Sequence, residues 1–548
     1  MAFISSSLSS SASLLLSLLA VYTLLRLTHS LLSPLWSPLR NLPHPKGARL
    51  LWGNVKQIRR APLGETHARW ERELGPVFSY RQTLSKWRLC TTDPRALSHI
   101  LQNAYLYPKP GMVQRSLSRT VGDGLLVAEG DAHKRQRRVM NPSFSSQQIK
   151  EVVPVFWDKA EELASIWHAS VRSEEAVVDV NNWLSRATLD VIGLAGFGYA
   201  FQSLLDDSNE LALAVAQLFH VRRVSVFAIL RNFFPALRYL PVQSNRIQAN
   251  AHRVMTRIGM ELVKRKKEAV RQTLDGKREE KDVVRTQVVG KDLLSALVRA
   301  NMANDVTSAQ KLNDEEVLAQ ISTFLVAGHE TTSSAVTWAL FTLSTDQDVQ
   351  NKLRAELLSY PSPQSDMDEL SAIPYLDAFV REVMRFHAPV ASTMRMASAA
   401  DEIPVSRPYV DTNGKERTTI SVKKGDGIFI PIRVVNRSTS LWGPDAGEFR
   451  PERWLREVPD AANHIPGVWA HVLSFLGGPR ACIGYRFSII EIKVFLYVLI
   501  RQFTFQLADP GMEFEAKSNI VTRPVVKGGP RDAPTLPLRI RRYTVEDT

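Results

Sequence analysis

The chain has 548 residues, with 69 Lys+Arg against 55 Asp+Glu and a formal net charge of +14. Hydrophobic residues make up 44% and charged residues 23%, values that exclude a disordered chain and a polytopic membrane protein. Only two cysteines occur, Cys90 and Cys482, which excludes a disulfide-stapled scaffold and a zinc site built on several thiolates. The basic excess comes without zinc-finger spacing or a stripe of Lys/Arg alternating with aromatics, so no nucleic acid partner is expected.

Residues 1–25 contain no charge, and 12–25 are dense in leucine. This predicts an N-terminal transmembrane helix within 1–33, a single-pass membrane anchor. A cleaved signal is disfavoured because no basic residue precedes the run and no cysteine pairing suits a lumen. Arg26, Arg40, Lys46 and Arg49 all follow the run, which places the body in the cytosol. Residues 34–50 carry Pro34, Pro38, Pro43, Pro45 and Gly47 and are expected to form a Pro-rich hinge holding the body off the bilayer.

The remaining residues, 51–548, are expected to form one domain. Residues 77–80 and 88–91 flank a short polar turn and predict a hairpin, with Cys90 a buried, inert thiol. Amphipathic periodicity predicts helices over 145–170, 182–200, 209–231, 244–273, 314–344, 346–359 and 374–387. Pro/Gly-punctuated strand-like pieces fill 393–435 and the region after 500. The charged stretch 271–291 is expected as a solvated loop. Residues 227–240, with Phe233, Phe234 and Pro235, fit either core packing or a second membrane contact.

The run Phe475-Leu476-Gly477-Gly478-Pro479-Arg480-Ala481-Cys482-Ile483-Gly484 fits F-x-x-G-x-R-x-C-x-G. In the predicted 314–344 helix, roughly 45 Å long, Ala327-Gly328-His329-Glu330-Thr331-Thr332 fits A-G-x-[D/E]-T-[T/S]. Glu382 and Arg385 stand at i, i+3, and Pro451-Glu452-Arg453-Trp454 fits P-E-R-[F/W]. On these residues the chain resembles the haem-thiolate monooxygenases, the cytochrome P450 superfamily, from the N-terminal anchor to the last strands. Its His-for-Trp change at His133 and extended loop near 271–291 look fungal.

The resemblance implies one large haem-thiolate monooxygenase fold, mainly α with small β-sheets, binding haem b. Cys482 would be the iron ligand, a thiolate that favours O–O cleavage, with Gly478 and Gly484 permitting the tight backbone around it. Phe475 would shield the proximal side. Glu330 and Thr331 resemble the acid and alcohol that deliver protons to iron-bound oxygen, with Thr332 assisting. His329 falls at the variable position and reads as packing or hydrogen bonding. Glu382, Arg385 and Arg453 would form a structural network behind the cysteine loop. His133 and Arg137, in W-x-x-x-R with His for Trp, would join Arg395 and Arg480 on the haem propionates.

By the same resemblance the chain would insert one oxygen atom of O2 into a lipophilic small molecule, a terpenoid or other secondary metabolite. Pocket walls would come from 106–127, 209–240, 322–331, 390–396 and 514–522. NADPH-derived electrons would arrive through a separate flavoprotein reductase, with cytochrome b5 as a further donor, because no Rossmann fingerprint appears. Lys134, Arg135 and Arg138 would help dock an acidic reductase. The implied place is the endoplasmic reticulum membrane. A reductase-independent haem-thiolate isomerase or dehydratase is the rival enzyme, and a non-catalytic haem sensor the rival from another class.

Overall fold

The structure is a computed structural model. It describes residues 34–171, 174–206, 208–220, 243–274, 291–302, 311–360, 367–518, 520–529 and 534–544, with scattered positions before residue 34. Most of the expected transmembrane segment, the apolar 227–240 stretch and most of the 271–291 loop lie outside these residues. No helix among the described residues is long and apolar enough to cross a membrane.

The chain is mainly helical with small sheets, as expected. Its residues fall into two compact units: residues 1–108 with 392–434, and 109–391 with 435–548. Strand pairing explains the first. Strands Val77–Arg81 and Trp87–Thr91 form the predicted antiparallel hairpin, and the second runs parallel to Gly427–Ile430, itself antiparallel to Thr393–Met396. Cys90 is fully buried beside Trp70, Phe78 and Tyr80, and burial holds its thiol well above the ordinary value. It is inert, as the hairpin pattern suggests.

The Pro-rich stretch 34–50 is no free spacer. Leu39 and Leu42 are buried, and the Leu39 and Pro43 carbonyls accept hydrogen bonds from the Ser79 side chain and amide at 2.8 and 2.9 Å. The leucines among the prolines dock the segment on the first unit's sheet, which a reading of prolines alone overlooks.

The second unit is organised around the helix Asp314–Thr345, hereafter the long helix. Asn313 caps its first turn in a capping box with Glu316, and Asp314, Glu315 and Glu316 complement its dipole. It ends at Asp346, whose side chain caps the next helix, Gln347–Ser359. Helix Val180–Val191 packs along it and continues into a π turn, Ile192–Phe197, inside the predicted 182–200 helix. A Cβ on Gly328 would meet Ile192 at 2.9 Å, so glycine here admits close helix packing. Helix Tyr485–Gln502, hereafter the C-terminal helix, packs on the long helix and on Ser146–Ser170.

Candidate active site

Two short turns, Leu473–Phe475 and Gly478–Arg480, shape the cysteine loop. The Cys482 amide donates to the Phe475 carbonyl at 2.9 Å, folding the loop back on itself. Gly478 sits at φ 68°, where a side chain would be strained. Gly484, at φ −91°, has no such need, and an added Cβ would make only ordinary contact with Phe144 at 3.5 Å. Its contribution is its amide, which favours the thiolate form of Cys482. The tightest point is Gly477, where a Cβ would lie 1.7 Å from the Pro466 carbonyl oxygen. Gly477→Ala is therefore expected to cost at least the roughly 1–3 kcal/mol of an overpacked site, read as a lowered Tm.

Cys482 has an accessible side chain although protein surrounds it, the mark of a concave wall. Burial pushes its thiol up, against the pull of the Gly484 amide and the Arg137 charge. A thiolate here needs a cation bonded to it. Phe475 is buried against Trp469 and Tyr485, ring centroids 5.7 and 6.1 Å away.

Helix Gly130–Met140 carries His133 and Arg137 one turn apart, as predicted. Arg137 donates to the Ala481 carbonyl at 2.5 Å, beside the cysteine. Arg480 pairs with Glu129, which also takes Lys109 at 3.2 Å. Buried His133 is pushed down to about 3 by desolvation and then by the charges of Arg480, Lys109 and Arg137, so its ring is neutral at pH 7. Lys109 and Arg480 thus share one carboxylate, and with Arg137, whose charge also acts on His133, the three cations outnumber it by two. Glu129 and Lys109 belong to no motif, and the sequence reading missed them. Arg395 lies in the first unit, on the predicted strand, where it is buried and donates to the Thr393 hydroxyl at 2.7 Å.

In the long helix, every residue from Ala319 to Leu340 is buried except Ala327, Gly328 and Thr331. Ala327 and Thr331, at i and i+4, share one face, while Gly328 is turned toward Ile192. The Thr331 hydroxyl donates to the Ala327 carbonyl at 2.6 Å. Thr332 does not share this face. It is buried against the C-terminal helix, its hydroxyl 3.5 Å from that of Ser488 and close to the Glu491 carboxyl. The assisting role expected from its position beside Thr331 is thus at odds with its direction, since neighbours in a helix point about 100° apart. Glu330 is buried in an ion pair with Arg523, from strand Thr522–Val526, and its Oε1 lies 3.2 Å from His329 Nε2.

Glu382 and Arg385, on helix Pro374–Phe386, form a fully buried bidentate pair at 2.7 and 2.8 Å. Arg385 also donates to the carbonyls of Asn436, Ala446 and Glu448. Asn436 in turn holds Leu473 and Ser474, immediately before Phe475, at 2.9 Å each. Arg453 joins at 3.7 Å from Glu382, but its closer partner is Asp445 at 2.8 Å, whose carboxyl it holds below the ordinary range.

Known proteins resemble this chain over most of its length. The family profile described as Cytochrome P450 matches residues 43–526. The chain belongs to the cytochrome P450 family. Cytochrome P450 monooxygenase 205 of Postia placenta is 47% identical over 92% of this chain and 93% of its own length. Cytochrome P450 monooxygenase 128 of the same fungus is 42% identical over 94% of each. Cytochrome P450 monooxygenase claQ of Ampulloclitocybe clavipes is 35% identical over 92% and 93%. The protein is accordingly a fungal-type P450 monooxygenase, and the family implies haem and O2. The residues present fit haem: a concave wall carries the thiol, and the positive excess among Lys109, Arg137, Arg480 and Glu129 matches two propionates.

Proposed function

We propose that this P450 inserts one oxygen atom of O2 into a lipophilic small molecule, a terpenoid or other fungal secondary metabolite, using NADPH electrons from a separate reductase. The accessible face of Ala327 and Thr331 in an otherwise buried stretch of helix carries this reading. When bound through Cys482, haem supplies the activation of dioxygen. Arg137, Arg480 and Lys109 would hold its carboxylates, while neutral His133 offers a ring N–H. Thr331 presents a hydroxyl, and Glu330 a carboxyl one residue away, for proton delivery. The cysteine is common to both enzyme readings; the alcohol presented for a proton favours oxygen insertion over isomerisation.

The body would be tied to the endoplasmic reticulum membrane by the segment before residue 34, with the catalytic part in the cytosol. In the first unit, exposed Leu35, Trp36, Leu50 and Leu51 support a lipid-facing side. Lys134 and Arg138 are exposed and suit an acidic reductase surface, or cytochrome b5, whereas Arg135 is committed to Glu316.

The test is turnover of a lipophilic fungal extract with a flavoprotein reductase, NADPH and isotopically labelled O2, followed by mass spectrometry. A product carrying one labelled oxygen, dependent on NADPH and reductase, is expected. Product without either would mean the isomerase or dehydratase, and no product the sensor. Thr331→Ala is expected to keep haem and NADPH consumption while product per NADPH falls at least about tenfold, the balance leaving as peroxide or water. Unchanged coupling would remove Thr331 from proton delivery.

A further inference from the structure

Two buried carboxamides stand between the long helix and the helix that carries His133 and Arg137. Gln320, on the long helix, is fully buried, and Gln136, next to Arg137, is 2% exposed. Gln320 Oε1 accepts the Leu125 amide at 2.8 Å, and its Nε2 donates to the Glu316 carbonyl at 3.0 Å and to Gln136 Oε1 at 3.2 Å. Gln136 Nε2 donates in turn to the Asp123 carbonyl at 3.1 Å. The backbone fixes the direction of every bond. An amide N–H only donates and a carbonyl only accepts, so the Gln320 oxygen must face Leu125 and its nitrogen Glu316, while the Gln136 nitrogen must face Asp123, which turns its oxygen to Gln320.

What the pair holds is the turn 122–125, which lies flush on the long helix. Gly122 has φ 72°, and a Cβ on Gly124 would stand 2.4 Å from Thr323 Oγ1 and 2.6 Å from the Ala319 carbonyl oxygen. Thr323 is covered, whereas Ala327, one turn on, is accessible, so the turn marks where the accessible face begins. Four residues after Leu125 stands Glu129, the partner of Lys109 and Arg480, and the helix with Arg137 follows at once. We propose that Gln320 and Gln136 are positioning residues that lock this turn, as an end wall of the substrate site, to the helix that presents Arg137 to haem, so that a molecule pressing on the wall is felt at the cation cluster. Arg135, paired with Glu316, ties the same two helices a second time and keeps them docked when a carboxamide is removed. That the turn is a substrate wall rests on the function proposed above, whereas the lock itself rests on the four hydrogen bonds.

Hydrogen–deuterium exchange of the full-length, haem-loaded protein tests this without turnover. The probe is 1-octylimidazole, whose ring nitrogen binds the iron, as the Soret shift reports, and whose alkyl chain must lie against the pocket walls. In the parent the probe is expected to slow exchange in 122–128 and in 130–140 together. Gln320→Met and Gln136→Met keep an unbranched side chain without its polar groups. Before the probe is added, Gln320→Met should speed exchange in 122–128 about fivefold, the worth of one net hydrogen bond, and Gln136→Met less, since the Leu125 bond stays. With the probe, slowing should persist in 122–128 and vanish from 130–140 in both variants. A pair that only stabilises the fold would give the first effect and not the second. Slowing of 130–140 that survives in either variant, or is absent from the parent, overturns the proposal. If Gln320→Met does not take up haem, Gln136→Met decides. A failed labelled-oxygen experiment would leave these exchange rates untouched, so the two readings fail separately.

Discussion

Cys482→Ala is expected to eliminate the long-wavelength Soret band of the reduced carbon monoxide complex and to reduce product to background, while the protein still folds. Alanine keeps the amide that bonds the Phe475 carbonyl, and the cation cluster around Glu129 is untouched. Some haem should therefore still bind, held by its carboxylates and by apolar contact, but without the thiolate that gives the band. No other described side chain is placed to substitute. Cys90 lies in the first unit, fully buried, its thiol pushed well up by burial. His329 has both nitrogens turned to Leu325 and Glu330. The carbon monoxide difference spectrum reads the result, and persistence of the long-wavelength band in Cys482→Ala would remove the thiolate assignment and everything built upon it.

What could be read from sequence followed the range of the interactions. Helices came through because their signal is local: Asn313 to Glu316 announces the long helix, and the 145–170 and 374–387 patterns match the observed Ser146–Ser170 and Pro374–Phe386. The cysteine loop was legible because its glycine, arginine and cysteine stand within ten residues. Partners brought together by folding were not. Nothing in the sequence ties Glu129 to Arg480, or Arg523 to Glu330, since each pair meets only after distant elements pack. One signal was present and went unused: Glu491 and Lys493 interrupt an apolar run from Ile489 to Ile500, where a charged residue must find a partner or stay neutral. Lys493 finds Asp377 at 2.7 Å, whereas both Glu491 carboxyl oxygens are buried with Thr332 as neighbour. Thr332 was misread for a related reason. A motif gives residue types in order but not which way each points, and here Thr332 points at Glu491.

The Arg385 site shows how a pair that looks trivial in sequence becomes decisive in place. An i, i+3 Glu/Arg pair on a solvated helix contributes about 0.2–0.5 kcal/mol. Glu382 and Arg385 are both fully buried, and removing one partner of such a pair typically costs about 3–5 kcal/mol, because the charge left behind has no water to turn to. Arg385→Ala would strand Glu382, which also receives the Arg450 amide and the Trp454 indole N–H at 2.8 and 2.9 Å, and would release three carbonyls. Against a typical total stability of about 5–15 kcal/mol this is a large share, so the purified variant is expected to melt far below the parent and carry little haem. Arg385→Lys keeps the charge but not the fork, and a single ammonium cannot serve two carboxyl oxygens and three carbonyls. It should fall between the parent and alanine. Arg453→Ala should cost less than either, since Arg453 stands 3.7 Å from Glu382 and relies on Asp445, which is 28% exposed and can rehydrate. Thermal melting and haem content of the three variants give the order. If Arg453→Ala proves the most damaging, the centre of the network lies at Asp445 and the cysteine loop is held from that side, not through Asn436.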